Sequence, residues 1–221
     1  MKYIDDENKL VKWYNCNLFY VCTIIIVLGN ILAYVLGGKN WNLEYAYIRW
    51  TDFDLYNILV AFLSAFEHST LQHCLLNCLC FFIAGTYLER KIGSFSLFVL
   101  VISLTFICEC ITDANTHGAG GHGFSGVNYA IYAYIIVDYV FMFIKKKQTR
   151  TNIIYGSIII ALICISFFFN GGSTKFSFTW YPSDLINNMG HYVSFIVGAV
   201  LSILIQSIEL KTIYETKQDS R

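Results

Sequence analysis

Long apolar blocks alternate along the chain with short polar, charged or glycine-rich connectors. The blocks run from about Tyr14 to Leu36, Tyr56 to Leu88, Phe95 to Ile111, Phe124 to Ile144, Ile153 to Phe169 and Met189 to Leu210. A helix needs about 20 predominantly apolar residues to cross a bilayer, and lipid leaves helices as the natural way to satisfy the backbone of such a block. The pattern therefore predicts an all-α polytopic membrane protein, a bundle of six transmembrane helices over residues 14–210 with short polar segments at 1–13 and 211–221. The first block is too long for the apolar part of a signal peptide and has no small-residue cleavage pattern, so it reads as a retained span. The second carries His68, His73 and Asn77 in its middle and ends in a charged turn, Glu89, Arg90 and Lys91.

Composition supports this reading. Hydrophobic residues make up 56% of the 221 and charged residues 14%, whereas a soluble domain carries about a quarter charged and a disordered chain is far less apolar. The formal net charge is zero, so no basic domain offers a footprint for nucleic acid. Placement of the basic residues says more than their sum. Lys2, Lys9, Lys12, Arg90, Lys91, Lys145, Lys146, Lys147, Arg150, Lys211, Lys217 and Arg221 fall on one side of a six-span topology, and only Lys39, Arg49 and Lys175 on the other. By the positive-inside rule both termini are then cytoplasmic, and a bacterial cytoplasmic membrane is the expected compartment. The aromatic connectors, with Trp41, Tyr45, Tyr47 and Trp50 in one and Phe176, Phe178, Trp180 and Tyr181 in another, suit the headgroup zone, the second also as a cap over the outer opening. Eight cysteines lie within or beside the blocks and read as buried free thiols.

Candidate chemistry sits in three blocks. The fourth opens Gly123-Phe124-Ser125-Gly126, a glycine-flanked serine that can expose its hydroxyl while its backbone N–H faces developing negative charge. Small residues in membrane helices also serve close packing, and serine needs a base. His191, about one turn into the sixth block, supplies one at similar depth. His122, in the glycine-rich connector, is the rival base, though a short turn rarely aims so near a neighbour correctly. His73 and Asn77, four residues apart, share a helix face and offer donors for an oxyanion, or a buried packing network. Asp138, about three turns from Ser125, reads as a headgroup or cytoplasmic contact. A zinc protease lacks its His-Glu-x-x-His, since Glu67 precedes His68 and residues 69–72 are Ser, Thr, Leu and Gln.

The pieces HSTLQHCLLN, GFSG and GHYVSFIVG, in that order on the second, fourth and sixth blocks, resemble the rhomboid family of intramembrane serine proteases. The resemblance implies that Ser125 is the nucleophile and His191 the general base, with the Ser125 backbone N–H, His73 and Asn77 as the oxyanion hole. It also implies that His68 is an outer histidine near the water route, that Tyr129 packs on the catalytic imidazole, and that Gly123, Gly126 and Gly198 support the site. The expected activity is cleavage of peptide bonds in or near transmembrane segments of membrane-protein substrates, with lipid as the surroundings and no metal or cofactor. The chain departs from the family pattern at Leu59 and Val60, where a Trp-Arg pair is common, and at Ser194, where a glycine is common. An inactive client-binding relative and a small transporter are the other readings, although no inverted repeat of the carrier kind is visible.

Overall fold

The computed structural model describes residues 20–37, 55–68, 70–116, 123–144, 150–168 and 191–208. These form α1 (Val21–Gly37), α2 (Leu55–Ser64), α3 (Leu71–Ile92), α4 (Ser94–Thr116), α5 (Ser125–Ile144), α6 (Arg150–Phe168) and α7 (His191–Ile208). The protein is an all-α, multi-pass helical bundle, and α3, α5 and α7 are each long and apolar enough to cross a membrane. Expectations that fall on segments 1–13 and 211–221, on the two aromatic connectors, on His122 and on the Lys145–Lys147 turn lie outside the described residues.

The expected second span is two helices, not one. Hydropathy runs on through Ala65 and Phe66, which hides the break, but α2 ends at Ser64 and α3 starts only after Thr70. Thr70 holds an extended backbone (φ −142°, ψ 153°) and its hydroxyl accepts the His73 N–H at 3.1 Å, the usual way a helix start satisfies an orphan donor. The helix then continues a turn beyond the predicted end. Gly93 closes it at φ 86°, with its N–H donating to the Glu89 carbonyl at 2.9 Å, a left-handed backbone that suits glycine.

Glu89 is therefore no turn residue. It is buried, and its carboxylate accepts the Cys22 N–H at 2.9 Å, the Thr23 N–H at 2.9 Å and the Thr23 hydroxyl at 2.6 Å. These are orphan donors at the start of α1, where negative charge also meets the positive end of the helix dipole. The antiparallel seam of α1 and α3 continues through Gly85 against Thr23, and through the thiols of Cys78 and Cys74, which reach the Val27 and Asn30 carbonyls at 3.8 Å. Cys22, Cys74, Cys78, Cys80 and Cys108 are buried free thiols, as expected.

Along α5 every residue from Val127 to Ile135 is buried, the pattern of a helix enclosed on all sides. It packs against α3, α4 and α6. On α3 the buried stripe carries Asn77, the cysteines, Gly85 and Glu89, while Leu75, Leu76, Leu79 and Phe82 face outward. Placing the polar groups inside, beside Phe81, Ala84 and Leu88, and an apolar face outside is the arrangement lipid imposes.

Candidate active site

Ser125 is the first residue of α5, so its N–H is one of the donors that the helix itself leaves unpaired. The turn delivering it is pinned from both sides. Gly123 adopts φ 122°, and a Cβ there would lie 2.9 Å from the His73 ring carbon Cε1, so only glycine fits on both conformational and steric grounds. The Gly123 N–H donates to the Ser64 carbonyl at 3.3 Å. The Phe124 N–H donates to His68 Nε2 at 3.4 Å, and its ring is fully buried between Phe66 and Phe81.

His68 belongs to the connector before α3. It is 2% exposed, its Nδ1 lies 3.1 Å from the Phe66 carbonyl and its ring meets His73 edge-on at 5.0 Å. A carbonyl only accepts and an amide N–H only donates, so Nδ1 carries the proton and Nε2 is bare. Burial and the neighbouring His73 push its pKa down to about 4 against the pull of the Phe66 carbonyl. It is a buried strut between the connector and the serine turn.

At the head of α7, His191 Nε2 lies 2.8 Å from Ser125 Oγ. The imidazole is stacked on Tyr129 with centroids 4.5 Å apart and planes 19° from parallel. Two helices running the same way hold this pair in register. A Cβ on Gly126 would lie 3.1 Å from Ser194 Oγ, and one on Gly198 only 1.9 Å from the Ala130 carbonyl oxygen. Deeper still, the Ser202 hydroxyl donates to the Tyr134 carbonyl at 3.0 Å and Gln206 Nε2 to Asp138 Oδ1 at 2.7 Å. Small and polar residues four apart on each helix thus face each other along the whole seam, the close-approach packing that substitutes for hydrophobic drive in lipid. Ser194, buried against Gly126, serves where a glycine was the expected residue.

Asp138 is not a headgroup contact. It is buried, paired with Lys91 of α3 as well as bonded to Gln206 of α7. Asn77 of α3 meets Asn128 of α5, whose Nδ2 donates to both the Asn77 backbone carbonyl and Asn77 Oδ1 at 3.1 Å. Sequence reasoning missed Asn128 and the partners of Asp138. An amide three residues beyond a candidate nucleophile in an otherwise apolar helix was the available signal.

A Rhomboid domain matches residues 55–208, well over half of the chain. The chain belongs to the rhomboid family. The match starts at α2 and ends with α7, so every helix contributing to this rhomboid site lies inside it. Comparison with curated proteins gives no match. Family membership is in keeping with a membrane-embedded function among lipids and membrane-embedded substrates, and the apolar faces of α3 and α7 that point outward suit lipid.

Proposed function

We propose that the protein is an intramembrane serine endopeptidase that hydrolyses peptide bonds in or near transmembrane segments of other membrane proteins. The observation that carries this reading is the 2.8 Å contact between Ser125 Oγ and His191 Nε2, a nucleophile and base within hydrogen-bond reach. The Ser125 hydroxyl donates to Nε2, and the base removes that proton as Oγ attacks the substrate carbonyl. Negative charge on the carbonyl oxygen is received by the Ser125 N–H with His73 and Asn77 as side-chain donors, each worth roughly 3–4 kcal/mol in the transition state. Protonated His191 then donates to the departing amine, and water activated by the same base releases the acyl group. Tyr129 holds the imidazole plane throughout. In this reading α1, α3, α4, α5, α6 and α7 are the six spans, α2 is a short helix beside them, and both termini are cytoplasmic in a bacterial membrane.

The test is cleavage of fluorescent transmembrane peptides by bilayer-reconstituted protein, comparing wild type with Ser125→Ala and His191→Ala. Both variants lose turnover if the dyad is the machinery. Peptides that insert and stay intact with every form favour a client-binding relative, and solute flux across vesicles favours a transporter.

A further inference from the structure

We propose that Asn128 is a positioning residue for the oxyanion hole, turning the Asn77 side-chain amide so that its NH2 edge and not its carbonyl oxygen is presented to the reaction. This rests on the endopeptidase reading of the same site. The two orientations of an amide differ only by exchange of oxygen and nitrogen, and they do opposite things to an oxyanion. Nδ2 stabilises it and Oδ1 repels it. An Asn at position 77 is useful to such a site only if something sets its sense.

Asn128 sets it by a chain of hydrogen-bond logic anchored on the backbone. The Asn77 main-chain carbonyl can only accept, so the Asn128 atom 3.1 Å from it is the NH2 nitrogen. That nitrogen also lies 3.1 Å from the Asn77 side chain, which must present its oxygen in return. Asn77 Nδ2 is then turned away from Asn128, and it is a buried donor without a hydrogen-bond partner among the described residues. Both side chains are enclosed, Asn77 at 6% and Asn128 at 2% exposure. Buried unpaired donors are rare and costly enough to call for an explanation, and a donor held ready for charge that appears only in the transition state is one. The location agrees. Asn128 is three residues beyond Ser125 on α5, and Asn77 is one turn beyond His73, whose ring lies against Gly123 in the serine turn.

A helix-to-helix tether with no such role would be broken by the same substitution, so the test is a double-mutant cycle. Peptide cleavage by the full chain in bilayers is measured for wild type, Asn128→Leu, Asn77→Ala and the double variant, with Ser125→Ala as the blank. Asn128→Leu is expected to lower kcat roughly 10- to 100-fold with KM little changed, and to have no further effect once Asn77 is alanine. An undiminished kcat, or a loss that multiplies through in the double variant, overturns the proposal. Asn128→Ala repeats the cycle if leucine crowds the seam. A readout free of catalysis is the Asn77 side-chain NH2 resonance in protein labelled with 15N-asparagine, identified by its disappearance in Asn77→Ala. It is expected to shift in the Asn128 variants, and an unmoved resonance counts against the proposal. Cleavage that persists in Ser125→Ala sinks the endopeptidase reading, whereas Ser125-dependent cleavage indifferent to Asn128 sinks only this inference.

Discussion

His68 gains its role from two bonds that fix one tautomer, and this gives the site a pH dependence of defined sign. Its folded pKa of about 4 lies below the ordinary 6.5, so the unfolded chain takes up the proton first. The stability it contributes is complete above about pH 6.5 and is lost as pH falls toward 4. A proton on Nε2 would also face the Phe124 N–H with another donor. The stability advantage of wild type over His68→Gln, read as a difference in thermal midpoints, is therefore expected to shrink between pH 7 and pH 4. A constant difference would contradict the strut. At this scale Ser125 and His191 were legible because polar side chains are scarce in membrane helices, so each one announces itself. Asn128, Asp138 and Gln206 were visible as residues but not as partners, since pairing depends on which helix faces which and at what register.

Among the elements, α5 and α7 are coupled by the ladder Gly126 with Ser194, Ala130 with Gly198, Tyr134 with Ser202 and Asp138 with Gln206. Gly198 is its tightest rung. A side chain there must push against backbone, which cannot swing aside, so the helices separate and His191 leaves Ser125. Gly198→Val is expected to cost about 1–3 kcal/mol of stability and to reduce turnover at least tenfold, measured by chemical denaturation and peptide cleavage in parallel. Full activity in this variant would show that the seam does not set the dyad. The helices themselves were readable from hydropathy, with ends shifted by a few residues. The interruption between α2 and α3 was not, because Ala65 and Phe66 carry the hydropathy onward and the polar run Glu67 to Thr70 reads equally well as the polar face of a continuing helix.

Across the whole molecule, the three helices that bear the proposed site are joined again at their far ends by Lys91, Asp138 and Gln206. The two charges are unequally placed, with Asp138 at 1% exposure and the Lys91 side chain at 33%. Removing the lysine strands a buried carboxylate, while removing the aspartate leaves an ammonium that can reach polar surroundings. Lys91→Met is thus expected to cost about 3 kcal/mol and more than Asp138→Leu, with the reverse order in denaturation experiments contradicting this account. Hydropathy and charge bias conveyed a helical membrane bundle, and three short motifs conveyed the family. The network that makes the bundle one unit emerges only from contacts between residues far apart in sequence. The most direct test of the central claim remains the cleavage of bilayer-inserted transmembrane peptides by wild type against a folded Ser125→Ala variant. Loss of turnover on the order of 10⁴-fold or more is the result a serine nucleophile requires, and equal cleavage by the two proteins would refute it.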